Sequence, residues 1–232
     1  MKAMILAAGR GARMRPLTDT TPKPLLLVGG TYLILWNIFR LKRAGVVDLV
    51  VNVSHLAERV EQALGDGVRF GVRIQYSFER EALETAGGIA WALPLLDEQP
   101  FLVVNSDVYS DYNFAALSER ARALSANYPA HLVLVDNPGH HPQGDFGLHD
   151  GIVTADGARL TFSGIGAYHP ALFTDIARGD KCRLAAQLAT PIAESRVSGE
   201  HFRGEWHDVG TPQRLLELDM RLRKGHGAGR ES

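Results

Sequence analysis

Apolar positions along this chain follow two different patterns. Short continuous runs at 2–7, 49–52 and 101–105 are rich in Ile, Leu and Val and read as strands buried on both faces. Segments at 32–44, 55–64, 85–96 and 114–127 have the length and spacing of helices. In the first of them, Leu33, Trp36, Ile38, Phe39 and Leu41 fall mostly on one face, and Gly45 follows as a C-cap. Strands without polar alternation, separated by helices, predict a mostly parallel sheet covered on each side. The expected fold is therefore α/β, a Rossmann-like three-layer sandwich with a mixed central sheet.

The pattern changes after about residue 130. Strands are predicted at 131–135, 146–148, 151–153, 162–168 and 196–202, and a helix at 184–194. A last helix is expected over 212–223, with Thr211 as N-cap and Pro212 at its first position. Residues 1–224 read as one domain and 225–232 as a flexible C-terminal tail. The most loop-like stretch, Pro138-Gly139-His140-His141-Pro142-Gln143-Gly144, sits mid-domain where a substrate-facing loop belongs. Its two adjacent histidines project differently and have no matched ligand set, so a metal site there is not expected.

Composition narrows the function. The chain has 232 residues, 45% of them hydrophobic, with a formal net charge of −1. That balance gives no bulk electrostatic case for nucleic acid or an anionic membrane, although a local basic cluster could still hold a small anion. Cys182 is the one cysteine, which excludes an internal disulfide and a thiolate metal cluster. The N-terminal apolar run lacks signal-peptide length, and no run approaches the roughly 20 residues of a membrane helix. The cytoplasm is the expected compartment. Nothing in the pattern distinguishes a monomer from a homodimer.

The strongest local signal is Leu6-Ala7-Ala8-Gly9-Arg10-Gly11-Ala12-Arg13-Met14, a strand running into a loop with two glycines and two arginines. Small residues let successive N–H groups approach phosphate oxygens, and Arg13 adds a bidentate cation. Met14 stands where a GxGxxG dinucleotide loop needs glycine, and the Lys-Ser/Thr ending of a Walker loop is absent. A plain surface turn would need the glycines but not the arginines. Next comes Thr21-Pro22-Lys23-Pro24-Leu25, where two prolines stiffen the backbone around one lysine. Lys23 is either an exposed lysine in a proline turn or a compact cation held for phosphate.

Two carboxylates complete the candidate set. Asp107 ends the run Phe101-Leu102-Val103-Val104-Asn105-Ser106-Asp107, at the carboxyl end of a strand, on the rim expected to hold the glycine loop. Asp208 lies in Trp206-His207-Asp208-Val209-Gly210-Thr211, just before the last helix. Each could serve Mg²⁺, which takes oxygen ligands. Each could equally be ordinary, Asp107 as a turn residue and Asp208 as a helix-start carboxylate.

These motifs at this spacing resemble the signature of the sugar nucleotidylyltransferases. The resemblance implies transfer of a nucleotidyl group from a nucleoside triphosphate to a sugar 1-phosphate, with release of pyrophosphate and with Mg²⁺ as cofactor. It implies that Ala8, Gly9, Gly11 and Ala12 wrap the triphosphate, that Arg13 holds the leaving pyrophosphate and that Lys23 contacts the α-phosphate region. Arg13 and Lys23 are thus the candidate catalytic residues. Asp107 and Asp208 become the metal pair, although Ser106 stands where most relatives have glycine.

Thr85-Ala86-Gly87-Gly88 resembles the segment after the base-binding region, with Thr85 as a possible N-cap and Gly88 as a backbone contact to the base; helix–sheet packing is the other reading of those glycines. Asp145-Phe146-Gly147-Leu148 resembles the strand against which the sugar rests, so Gly147 and Asn105 are the candidate sugar contacts. No Glu-Lys-Pro segment of the kind that serves hexose recognition follows. Stretches at 134–141, 144–146, 162–165 and 197–201 resemble a compact branch of the family that uses UTP in cell-wall sugar recycling. The acceptor of that branch carries a lactyl carboxylate, for which Arg80 and Arg203 are candidate partners. Other family specificities, guanylyl transfer to mannose 1-phosphate or thymidylyl transfer to glucose 1-phosphate, are the alternatives. A non-catalytic sugar-nucleotide sensor is disfavoured because Arg13, Lys23, Asp107 and Asp208 are all present.

Overall fold

The computed structural model describes residues 1–227; the expected tail lies outside the described residues from 228 onward. In chain order the elements are β1 (Lys2–Leu6), β2 (Leu27–Val28), β3 (Thr31–Tyr32), α1 (Leu33–Arg43), β4 (Asp48–Val53), α2 (Ala57–Leu64) and β5 (Arg73–Phe78). They continue with α3 (Glu84–Leu96), β6 (Phe101–Asn105), β7 (Val108–Ser110), α4 (Phe114–Arg122), β8 (Ala130–Val135), β9 (Phe146–His149) and β10 (Ile152–Thr154). The last are β11 (Arg159–Tyr168), α5 (Leu184–Ala193), β12 (Val197–His201), β13 (Trp206–Asp208) and α6 (Pro212–Gly227).

Nine strands form one mixed sheet in the order β5-β4-β1-β6-β11-β8-β12-β10-β9, and β9 also pairs back onto the start of β11. The first four strands of that order are parallel, and β11 runs antiparallel beside β6. Side-chain alternation splits the core into two halves. Ala3, Ile5, Leu49 and Val51 face the half that contains α1, α2 and α4; Met4, Val50 and Val103 face the half built with α3 and α5. Burial on both faces explains why these strands read as unbroken apolar runs.

Several expected boundaries move for identifiable reasons. α4 stops at Arg122 because the chain turns through Ser125, whose N–H donates to the Tyr128 carbonyl, ahead of Pro129. α2 begins only after Leu56, which takes a left-handed conformation at φ +56°. Thr85 does not cap α3, which starts one residue earlier; the free N–H groups of Ala86 and Gly87 instead reach the Cys182 carbonyl at 3.0 and 3.1 Å. At the end of α1, Gly45 takes the left-handed conformation at φ +78° expected of a residue just beyond a C-cap. In α6, Thr211 Oγ1 accepts the Arg214 N–H at 3.4 Å, and the helix continues through Gly227. Edge strand β5, half exposed, and the three-residue strands β7 and β13 were not legible in the apolar pattern.

A small third core controls the site. Met14, Leu26, Val28, Leu33, Tyr109, Val209, Leu218 and Leu222 pack together, with Met14, Val28, Leu33 and Val209 fully buried. It joins the end of the glycine loop, the β2–β3 hairpin, the residue after Asp208 and helix α6. Burying a side chain of this size is worth about 1.5–3 kcal/mol. Arg13 and Asp208 each precede one of these anchors, so the same apolar contacts fix where both polar side chains emerge.

Candidate functional site

The parallel register places the ends of β5, β4, β1 and β6 along one edge of the sheet, where ligands bind in open α/β folds. A cleft of about 320 Å³ runs along it, lined by Ala7, Ala8, Gly9, Lys23, Asn52, Glu79, Glu84, Thr85, Asn105 and Asp107, among others. A second hollow of similar volume, about 320 Å³, opens beside β11 and is lined by Arg13, Asn105, Asp107, His140, His141, Phe162, Gly164, Trp206 and Asp208. Asn105 and Asp107 belong to both, so the two spaces adjoin at the end of β6.

At the end of β1 the glycine loop turns at Gly11, φ +62°, into a short 3-10 turn over Ala12–Met14. A Cβ on Gly11 would stand 3.0 Å from Thr18 and 3.2 Å from Lys23. Thr18 Oγ1 donates to the Gly11 carbonyl at 2.8 Å. Glycine here therefore lets the loop lie directly on the Lys23 segment. Lys23 opens a second 3-10 turn bounded by Pro22 and Pro24, and its ammonium forms a tight ion pair with Asp107. Of the two readings of Lys23, the exposed one fails: its side chain is 11% accessible and points into the cleft.

The segments that carry Asp107 and Asp208 are joined by backbone pairing, and both side chains line the same hollow. β7 and β13 form an antiparallel ribbon in which Asp208 faces Val108, and the Val209 N–H donates to the Asp107 carbonyl at 2.8 Å. Asp208 Oδ1 lies 2.5 Å from Arg214 Nη1 and 3.1 Å from His140 Nε2. Arg214 Nη1 in turn sits 2.6 Å from His140 Nε2. A Cβ on Gly210 would collide with Arg214 and come within 3.4 Å of Arg13, so glycine at this position lets two guanidinium groups flank the turn.

Two hard-oxygen donors lining one hollow, beside a loop shaped for phosphate, suit Mg²⁺, which characteristically takes one or two carboxylates and completes its shell with phosphate oxygens and water. Among the described residues there is no cluster of three or more His, Cys, Asp and Glu side chains gathered around one point. His141 faces Asp145 at 3.0 Å rather than Asp208. Only one of the two adjacent histidines therefore turns toward the carboxylates.

At the opposite end of the cleft a buried polar chain ties three strands together. The Ala7 N–H donates to Asn52 Oδ1 at 2.7 Å, Asn52 Nδ2 donates to Glu79 Oε1 at 2.6 Å, and the Leu83 N–H donates to Glu79 Oε2 at 2.9 Å. Glu79 is 5% exposed, and burial raises its pKa against the lowering effect of these two donors. The chain holds the start of the glycine loop to the end of β5.

Two of the residues expected to contact substrate lie outside the lining of both spaces. Gly88 is buried under this polar chain, where a Cβ would press on Glu79 and Asn52, and it does not line the cleft. Its lack of a side chain makes room for the Glu79–Asn52 pair, which is the packing reading of this glycine. Gly147 pairs with Thr154 in the β9–β10 hairpin, where a Cβ would strike the Asp156 carbonyl, and it lines neither space. The backbone that does approach Asn105 is Gly164, φ +77°, in the bulge of β11 between Phe162 and Ile165. A Cβ there would meet the Asn105 amide, and the preceding Ser163 carbonyl accepts from Trp206 Nε1 at 2.9 Å. A Gly inside the strand-like run, between Ser163 and Ile165, was the available signal for this bulge. Arg80 and Arg203 are exposed and line neither space, whereas Arg13, His140 and His141 do.

A glycine loop, a lysine held on one carboxylate and a second carboxylate brought alongside define a site for transfer of a phosphorus-linked group. The family model for nucleotidyl transferases matches residues 2–157, and the chain belongs to that family. It is 54% identical, over 94% of its length and 96% of the relative, to the N-acetylmuramate alpha-1-phosphate uridylyltransferase of Neisseria meningitidis serogroup B. Against the Caulobacter vibrioides enzyme of the same name the identity is 37%, covering 95% of this chain and 96% of that one. A Bacillus anthracis crystal structure assigned to a glucose-1-phosphate thymidylyltransferase shares the fold, with a TM-score of 0.84 at 21% identity and coverage of 96% and 95% of the two chains.

Proposed function

We propose that this protein transfers the uridylyl group of UTP to N-acetylmuramate 1-phosphate with Mg²⁺, giving UDP-N-acetylmuramate and pyrophosphate in cell-wall sugar recycling. The observation that carries the chemistry is that Asp107, just before β7, and Asp208, in β13, line the same hollow where it adjoins the phosphate cleft. The near full-length similarity to the two bacterial enzymes of that name supports the donor and acceptor.

An oxygen of the sugar 1-phosphate attacks the α-phosphorus in line as the bond to the β-phosphate bridging oxygen breaks, and pyrophosphate leaves with that electron pair. The nucleophile is already anionic, so no residue need remove a proton. Backbone N–H groups of Ala8, Gly9, Gly11 and Ala12 hold the triphosphate. Lys23 lies against the α-phosphate region, and Arg13 offsets charge on the departing pyrophosphate. Asp107 and Asp208 would hold Mg²⁺, which when bound would supply Lewis-acid neutralisation of the phosphates. The β11 hollow, with Asn105 and the Gly164 bulge, takes the sugar. The basic side chains of that hollow not used by the phosphates, His140 and His141, offer a place for a lactyl carboxylate, whereas Arg80 and Arg203 lie outside it.

The test is pyrophosphate release with a panel of triphosphates and sugar 1-phosphates. UTP with N-acetylmuramate 1-phosphate should be the fastest pair. In direct competition, equal or greater use of N-acetylglucosamine 1-phosphate would remove the muramate assignment and leave nucleotidyl transfer standing.

A further inference from the structure

The order of groups along the cleft follows from strand order. Asp107 and Lys23 mark the β6 end, the glycine loop follows β1, Asn52 lies in β4, and Glu79 and Glu84 follow β5. Three strand spacings of about 4.8 Å separate the two ends, roughly 14 Å, a suitable span for a nucleoside and its phosphates. With phosphates at the basic end, the nucleoside lies at the β5 end. That end is acidic, and carboxylates accept hydrogen bonds without donating them.

Glu84 is unusual there. Its backbone is left-handed, φ +63°, a conformation costly for a residue with a long side chain and natural for glycine. Leu56, Asp97, Asp150 and Ser195 share this conformation, but of these five residues only Glu84 lines the cleft, and strain of this kind clusters at ligand sites. The Glu84 carboxylate is exposed, lines the cleft, and has no hydrogen-bond or ion-pair partner among the described residues. Glu79 below it already accepts from Asn52 and Leu83, one donor on each oxygen.

Resting on the nucleotidyl-transfer reading above, we propose that Glu84 is a specificity-determining residue whose carboxylate accepts the ring N–H of the donor's base. Uracil carries such an N–H. Cytosine and adenine present a bare acceptor nitrogen at the corresponding edge, which would face a carboxylate without a proton between them. A site built around a hydrogen bond rejects a partner that cannot make it far more strongly than an apolar pocket does.

The experiment compares wild-type protein, Glu84→Gly and Glu84→Gln with UTP and CTP at saturating acceptor, reading kcat/KM for each donor alongside the melting temperature. Glycine suits the backbone at this position, so Glu84→Gly should melt at the same temperature or higher while its UTP/CTP preference falls at least about tenfold. Glu84→Gln offers an NH2 donor as well as an acceptor oxygen, so it can pair with cytosine as well as uracil and should also lose most of the preference. A Glu84→Gly protein that retains the wild-type UTP/CTP ratio overturns the proposal even if the wild type is a uridylyltransferase. A wild type that prefers CTP or ATP overturns both this inference and the UTP assignment. A preference for GTP or a thymidine triphosphate removes only the UTP assignment, and the same Glu84→Gly comparison against CTP then decides the role of Glu84.

Discussion

Asp107 and Asp208 line the same hollow: the backbone carbonyl of Asp107 accepts the N–H of Val209, the residue after Asp208, at 2.8 Å, and each carboxylate meets a different cation. Asp107 faces Lys23, on the segment after the glycine loop, and Asp208 faces Arg214, on the last helix. Parts of the chain distant in sequence thus converge on one junction between two cavities, and the pairing of a three-residue ribbon sets their spacing.

Replacing Asp107 or Asp208 by Ala should lower kcat by about a thousandfold or more, since a positioned metal supplies several kcal/mol and each ~1.4 kcal/mol is tenfold. Both side chains are partly exposed, so melting temperature should change by only a few degrees. Steady-state kinetics across a Mg²⁺ titration, with circular dichroism as the control for folding, checks this. A folded variant with near wild-type Mg²⁺-dependent turnover would free that residue from the metal role.

Lys23→Ala and Arg13→Ala should lower kcat more than they raise KM for the triphosphate. Negative charge moves onto the leaving pyrophosphate only as the bond breaks, so a nearby cation favours the transition state over the bound substrate. Initial rates over a range of UTP concentrations separate the two effects. An unchanged kcat with a higher KM would assign the residue to uniform binding.

Gly164→Ala should weaken use of the sugar 1-phosphate and also destabilise the fold. The residue is left-handed, and a Cβ would stand 2.6 Å from the Asn105 amide nitrogen. Strain at such a position costs about 1–3 kcal/mol, enough to lower the melting temperature by several degrees. The Asn105 side chain must also move, so KM for the acceptor should rise more than KM for UTP. Equal changes in both would take Asn105 out of the sugar hollow.

Away from the cleft, Glu200 offers a test of stability against pH. The His131 imidazole beside it does most to hold its carboxyl below the usual value of 4.5; the Tyr112 hydroxyl, which donates to it, adds to that effect, while burial opposes it. A carboxyl with a lowered folded pKa stabilises the protein above the unfolded value and loses that contribution as pH falls through the folded one. Glu200→Gln should therefore cost about 1 kcal/mol near neutrality, roughly 2–4 °C in melting temperature. The gap should narrow below pH 4.5. Thermal melts of both proteins at pH 7 and pH 3.5 measure it, and a constant gap would mean that Glu200 contributes by packing alone.

The parallel half of the fold was legible because buried strands must be apolar throughout: β6 begins and ends where its apolar run does, Phe101–Asn105. The glycine loop and the Lys23 segment were legible because their chemistry is contiguous. Edge strand β5 was hidden by its exposed Arg73 and Gln75, and β7 and β13 by their shortness.

The sequence by itself determined the α/β class, the residue types suited to phosphate and metal, and the rigid setting of Lys23, since each depends on neighbours along the chain. Only the tertiary structure decided what each glycine makes room for. Gly88 and Gly147 make way for protein atoms, Asp156 among them, while Gly164 brings backbone up to Asn105. It also decided that His140, from the loop expected to face substrate, meets Asp208 and Arg214, and that Glu79 and Glu84 share the far end of the cleft. Chain spacing encodes which residues are near in sequence. Packing of the sheet ends and the small core around Met14 and Val209 determines which of them meet in space.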